Sequence, residues 1–308
     1  MLKKTVALGM TMALATTIFA GCGDDTKQGE ENNQGGDTKT ADIPETLTVG
    51  FIPSQNAETL SAKAKPMGDL LSKELDMDVK VVVTTNYTAL IEGMAAKQID
   101  VGFLSPVDYV FAHDNKKAVN LLLQTVRNGS SSYKSMFVKR ADDTSINKLE
   151  DVKGKRIAFV SASSAAGYTY PAAMLKDAGI DPEKDVQGQM AGGHDKALAA
   201  LYRGDVDVAT VFDDARDQMI KEYPDVKEKL VPFVWTEEIP NDTVSIRNDL
   251  PEDFQKKVQQ AFINIMKTDE GKKIGKDIYS FDDLVPGKDS NFDPVRKVIK
   301  AMNLQEAK

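Results

Sequence analysis

The sequence predicts an α/β protein of two lobes, each a mostly parallel sheet flanked by helices, with a ligand crevice between the lobes. Three observations predict it. From residue 47 onward, short β-branched runs alternate with amphipathic stretches, the pattern of βαβ units and parallel sheets. That pattern breaks off and restarts near residue 156, which implies two similar units joined by crossovers. The chain has 308 residues, enough for about two domains, each with its own core.

The elements follow in order. Residues 47–52 read as a strand, and 58–75 as a helix with Leu60, Ala64, Met67, Leu70 and Leu71 on one face. Residues 79–84 are strongly β-branched and read as a strand. A helix over 87–97, a short strand over 101–104, the start of a helix over 107–112 and a strand over 121–126 complete the first unit. The second unit opens with a strand over 157–160, a Ser/Ala/Gly loop and a helix over 168–178. It continues with a strand over 186–190, a helix over 196–202, a strand over 206–211 and a further run over 231–235. The chain ends in helices over 251–267 and 294–302. Crossings between the lobes are expected near 133–138 and 234–244, giving lobe one as 46–135 plus 240–308 and lobe two as 136–239.

Before this body lies a different kind of text. Residues 1–21 carry Lys3 and Lys4, an apolar run and small residues ahead of Cys22, which is the build of a secretory signal peptide. Residues 22–45 are rich in Gly, Asp, Asn, Gln, Thr and Lys and cannot bury enough surface to fold, so they read as a tether. The formal net charge is −8 and the pI about 5.0, which excludes nucleic acid or anionic lipid as partners held by bulk attraction. One cysteine excludes an internal disulfide and a multi-cysteine metal site. Two histidines leave little for a His-rich metal centre, and His113, beside Asp114 in a helical stretch, receives no role. No cofactor is expected.

The chemistry is expected at strand-to-helix turns. The loop 161–168 offers hydroxyls from Ser161, Ser163 and Ser164 ahead of a helix N-terminus, a cradle for an anion. It is no Walker A loop, because no lysine follows the strand, and no nucleophile elbow, because Ser164 lacks the flanking glycines. His194, after Gly192-Gly193, and Tyr87, after Thr84-Thr-Asn, occupy equivalent turns, as do Ser54 and Ser105. Ligands of open α/β sheets gather beyond the carboxyl ends of strands. Asp213 and Asp214 follow a strand, and Asp242 sits in the second crossover. These carboxyls could serve acid–base chemistry or a metal, accept a proton carried by the ligand, or pair with a ligand amine.

Two groups of residues carry a resemblance. Phe-Ala-Gly-Cys22 resembles the bacterial lipobox, which implies a lipid-modified Cys22 and a protein tethered outside the cytoplasmic membrane. The run from Phe159 through Ser161, Ser164, Gly167 and Tyr168 to Pro171 resembles a motif of the substrate-binding components of phosphonate, phosphite and phosphate ABC importers. Gly193-His194, Gly204-Asp-Val-Asp207, Thr-Asn-Tyr87 with Ile91-Glu-Gly-Met94, and Pro240-Asn-Asp242 fall in the order of that family, over residues 46–304.

The resemblance implies a type II periplasmic-binding-protein fold, no enzymatic activity, a small phosphorus oxyanion as ligand, an ABC permease as partner, and a monomer. It implies that Tyr87 contacts the ligand from the first lobe. Ser164 and the amides of Ala165 and Ala166 would hold phosphoryl oxygens from the second, with His194 as a further donor. Asp214 and Asp242 would occupy the acidic ligand positions, with Asp213 as a neighbour able to replace Asp214. Ala165 and Ala166 stand where relatives carry hydroxyls, and Ser161, Ser163 and Tyr168 are expected to compensate. Two rival readings are a two-lobed receptor for another small anion such as a sulfonate, and a surface phosphohydrolase with metal on Asp213 and Asp214.

Overall fold

The computed structural model describes residues 42–304. The expected signal peptide, Cys22 and nearly all of the tether lie outside the described residues. Among the described residues, eleven strands form two sheets. Strands β1 (Thr46–Phe51), β2 (Asp78–Val83), β3 (Val101–Leu104) and β4 (Val119–Val126) begin the first. The second holds β5 (Ser132–Arg140), β6 (Arg156–Phe159), β7 (Gln187–Met190), β8 (Val208–Phe212) and β9 (Leu230–Pro240). The chain then returns to the first sheet with β10 (Thr243–Arg247) and β11 (Asp283–Pro286). The sheet orders are β11-β4-β10-β3-β1-β2 and β7-β6-β8-β5-β9.

Helices flank both sheets, and the two-lobed α/β expectation holds, with one correction. The sheets are mixed rather than mostly parallel. In the first, β1 pairs parallel with β2 and β3, whereas β10 and β11 join antiparallel. In the second, β6 pairs parallel with β7 and β8, whereas β5 is antiparallel to both β8 and β9. The cause lies in the crossovers. The segments expected to run between lobes are themselves strands, β5 and β9, which pair side by side from Ser132↔Pro240 onward.

Local sequence explains the elements nearest the crevice. The helix Ala57–Leu75 is capped by Asn56, whose side chain accepts from the Thr59 amide at 3.0 Å. It buries the expected face, Leu60, Ala64, Met67 and Leu71, against a sheet whose Phe51 and Phe103 stack at 4.6 Å. Burying each such ring contributes roughly 1.5–3 kcal/mol. A helix over Asp269–Tyr279 and the short β10 and β11 add to the expected elements. The larger apolar core runs through both sheets, and a smaller one of Phe137, Ile157, Phe159, Tyr168 and Leu175 lies in the second lobe.

The two crossovers are fastened to each other. Buried Asn241 donates from Nδ2 to the carbonyls of Thr125 (2.9 Å) and Ser130 (2.7 Å), and its amide donates to Ser131 (2.8 Å). The Thr125 amide donates to the Asp242 carbonyl at 2.9 Å. Asn241 and Asp242 are therefore held against the end of β4 and the start of the other crossover.

Candidate functional site

On the second lobe, β6 ends at Phe159 and the chain turns through Ser161–Ser164 into a helical turn, Ala165–Thr169, that leads to the helix Tyr170–Asp177. The Ser164 side chain caps that turn by accepting from the Gly167 amide at 3.1 Å. The amides that open such a turn have no carbonyl one turn back to bond. Gly167 is required by close approach: a Cβ there would lie 2.3 Å from the Cβ of Val160 and 2.7 Å from Ser164 Oγ. The first lobe contributes Tyr87, the first residue of its helix behind the Asn86 cap, and Ser105, which caps the helix Pro106–Val110. Burial, then the nearby Asp108, pushes the Tyr87 phenol well above its ordinary range.

Between the lobes lies a cavity of about 40 Å³, several times the ~10–15 Å³ that one water needs on the same measure. Ser164 and Ala165 line it from one side, Tyr87, Ser54 and Ser105 from the other, with His194, Asp242, Arg127, Tyr133, Phe212 and Tyr279 completing the wall. Of the residues expected to form the site, the structure thus brings together Tyr87, Ser164, Ala165, His194 and Asp242.

The others lie elsewhere. Tyr168 points into the smaller core, edge-on to Phe159 at 5.1 Å. The Ala166 carbonyl accepts from Ser135 Oγ at 2.6 Å, and Ala166 lies outside the wall. Ser163 and Ser161 also lie outside it. The Ser163 hydroxyl serves Asp108, and Ser161 Oγ is buried without a partner. The compensating hydroxyls are therefore not at the cavity. Asp213 and Asp214 line a separate, outer recess of about 310 Å³ together with Asn128, Ser130 and Ser132.

Arg127 explains that displacement. It follows β4 and precedes Asn128 (φ 50°) and Gly129 (φ 76°), a tight turn bridged by paired Arg127–Ser130 backbone hydrogen bonds. Its guanidinium lies over the rings of Tyr133 (5.2 Å) and Phe212 (5.1 Å). It pairs closely with Asp214 and stands 3.8 Å from Asp213. Burial opposes its charge, but Asp214, then Asp213 and Asp242, hold it firmly protonated. Asn-Gly after an apolar strand is a hairpin signal in the sequence itself, and it would have placed Arg127 at the crossover.

Two titratable groups of the wall feel Arg127. His194 opens the helix His194–Arg203, and its amide donates to the Ser54 carbonyl across the crevice at 2.9 Å. Its ring meets Phe212 edge-on at 4.5 Å, and its Nδ1 has no partner. Burial, then Arg127, lowers its pKa to about 3, so the ring is neutral at physiological pH. Burial raises the Asp242 carboxyl to about 6, with Arg127 opposing. Behind the wall, Ser105 Oγ lies 2.6 Å from Oδ2 of Asp108 and 3.2 Å from the Ser163 carbonyl of the other lobe. Burial pushes fully enclosed Asp108 up to about 7, against the Ser105 and Ser163 hydroxyls that favour its ionised form.

Such a cavity combines neutral donors, one cation and one carboxyl, the equipment for enclosing a compact, partly protonated oxyanion. Comparison with known proteins agrees in kind. Residues 49–292 match the family described as ABC transporter, phosphonate, periplasmic substrate-binding protein. The phosphate-import protein PhnD of Mycolicibacterium smegmatis is 30% identical over 289 residues, covering 88% of this chain and 90% of that one. The probable ABC transporter phosphite binding protein PhnD1 of Prochlorococcus marinus is 24% identical over 271 residues, or 84% and 91% of the two chains. The structure of PhnD1 from that organism in complex with methylphosphonate superimposes with a TM-score of 0.75, at 24% identity, over 85% of this chain and 99% of that one.

Proposed function

This chain belongs to the family of periplasmic substrate-binding proteins of phosphonate ABC transporters, and on that premise we propose that its inter-lobe cavity captures a phosphorus oxyanion for delivery to an ABC permease. The ligand is a phosphonate, phosphite or phosphate. The observation that carries this reading is the convergence of Ser164, Ala165, Tyr87, neutral His194, Asp242 and Arg127 on one small cavity between two sheets. Ser164 and the amide of Ala165 hold the phosphoryl oxygens, and Tyr87 and His194 add donors from either side. Asp242 accepts the proton that a phosphorus oxyanion retains near neutral pH. Sulfate carries no such proton and would leave that carboxylate repelled and unpaired.

The lobes divide near residues 136 and 240, within β5 and at the end of β9, and these paired crossovers are where closure over the ligand would hinge. The protein acts as a monomer, held outside the cytoplasmic membrane by a lipid on Cys22. Binding, not turnover, is its task. The carboxylates that the phosphohydrolase reading needs for metal are turned toward Arg127, which disfavours that reading. A cluster of His113, Asp114 and Asp289 elsewhere is already served by Arg296, at 2.6 Å from both aspartates.

Titration calorimetry of the purified protein with methylphosphonate, 2-aminoethylphosphonate, phosphite, phosphate and sulfate tests the proposal. Saturable binding of at least one phosphorus anion with sulfate silent is expected. Silence from all phosphorus anions would overturn it, and tight sulfate or sulfonate binding would favour the rival receptor.

A further inference from the structure

We propose that Arg127 determines the specificity of the cavity, selecting compact phosphorus oxyanions without an amino group, such as phosphate, phosphite or methylphosphonate, against aminoalkylphosphonates. The inference rests on the binding role proposed above and narrows its substrate class.

Arg127 is the wall between two spaces. It lines the inner cavity with Ser164, His194 and Asp242, and it lines the outer recess with Asp213 and Asp214. An amine-bearing ligand would need a carboxylate to receive its ammonium. Asp214 is closed to that use because the guanidinium already pairs with it, and Asp213 is drawn to the same cation. The guanidinium lies over the Tyr133 and Phe212 rings, so an ammonium entering here would meet a like charge held in the wall. The inner cavity, at about 40 Å³, also leaves little room for an aminoalkyl arm.

The same residue suits an anion. The Arg127 side chain is only 11% exposed, and its Nε–H is buried without an acceptor. An unpaired buried donor on a charged group is costly, and the natural remedy is an oxygen supplied by the ligand. Asp242 remains as a carboxyl in the inner wall, and the phosphoryl O–H occupies it.

Calorimetry with phosphate, phosphite, methylphosphonate and 2-aminoethylphosphonate on the wild type, Arg127→Met and Asp214→Asn decides the matter. The wild type is expected to bind its best amine-free anion at least about 100-fold more tightly than 2-aminoethylphosphonate. Arg127→Met should lose about 100-fold for that anion and bring the two ligand classes within about tenfold. Asp214→Asn, which frees guanidinium N–H groups for the ligand, should tighten amine-free anions about threefold to tenfold. It decides the question even where Arg127→Met fails to fold. A wild type that prefers 2-aminoethylphosphonate, an Arg127→Met protein with unchanged preference, or an Asp214→Asn protein that loses affinity would each overturn this inference while leaving phosphorus-anion capture intact. A wild type silent toward every phosphorus anion would overturn both.

Discussion

Two pairs of carboxyls stand near the cavity, and they differ in almost every physical respect. Asp213 and Asp214 are neighbours in the chain, their side chains are 40% and 25% exposed, and both face a guanidinium across an open recess. Asp108 and Asp242 come from distant segments, are enclosed, and have pKa values raised by burial to about 7 and about 6. The first pair is conspicuous in the sequence and electrostatically settled in the fold. The second is inconspicuous in the sequence and electrostatically poised. Adjacency in the chain is a poor guide to which acids share a site, because desolvation and partners decide their behaviour.

The sharpest test of this contrast is Asp108→Asn. A carboxyl with its pKa near 7 in the native state and near 4 when unfolded binds more protons folded than unfolded between those values. Its destabilising effect is therefore absent below about pH 4, grows as pH rises, and is complete above about pH 7. The unliganded wild type should lose stability from pH 5 to pH 8, by about 2–4 kcal/mol from this group. Asp108→Asn should flatten that slope. Denaturant titrations at pH 5, 6.5 and 8 would show it, and parallel slopes for the two proteins would place the buried charge elsewhere.

Asp242→Asn should leave folding nearly unchanged but weaken a protonated phosphorus anion about 10- to 100-fold, the range for losing a buried charged acceptor. It should also admit sulfate. An undiminished affinity measured by calorimetry would remove Asp242 from the site. Tyr87→Phe, which deletes one donor, should cost about threefold to tenfold in affinity, with a melting temperature within a degree or two of wild type. Smallest of all is Asp213→Asn. This half-exposed carboxylate, 3.8 Å from its cation, should shift stability by less than about 1 kcal/mol. A larger loss on denaturant unfolding would mean that the outer pair is structural after all.

Much of this arrangement is legible in the residues. The amphipathic face of the helix Ala57–Leu75 and the capping turns at Asn86, Ser105 and Ser164 are local signals, and they place Tyr87, Ser164, His194 and Asp242 at strand ends. What escapes is set by pairing over long distances. β5 and β9 look like connections because nothing local announces that they will pair with each other, and β10 is a five-residue strand whose place between β3 and β4 is decided by sheet geometry. Arg127 escapes for a related reason. Its Asn-Gly turn marks a hairpin, but its importance comes from where two lobes put Phe212, Asp214 and His194 around it. The alanines at 165 and 166 are the converse case: the missing hydroxyls are plain in the sequence, but the group that shares the cavity wall with Ala165 is a cation rather than Ser161 or Ser163.

The Ser105 hydroxyl has a consequence that is a matter of counting. It carries a single hydrogen and stands within reach of two acceptors, Asp108 Oδ2 at 2.6 Å and the Ser163 carbonyl of the opposite lobe at 3.2 Å. When Asp108 is ionised, that hydrogen belongs to the carboxylate, which the Ser163 hydroxyl of the opposite lobe also serves. When Asp108 takes up a proton it becomes the donor to Ser105, and the serine's own hydrogen is released to Ser163. One proton on a buried acid thus changes which groups bond across the seam between the lobes, from the Ser163 hydroxyl on the carboxylate to the Ser105 hydroxyl on the Ser163 carbonyl.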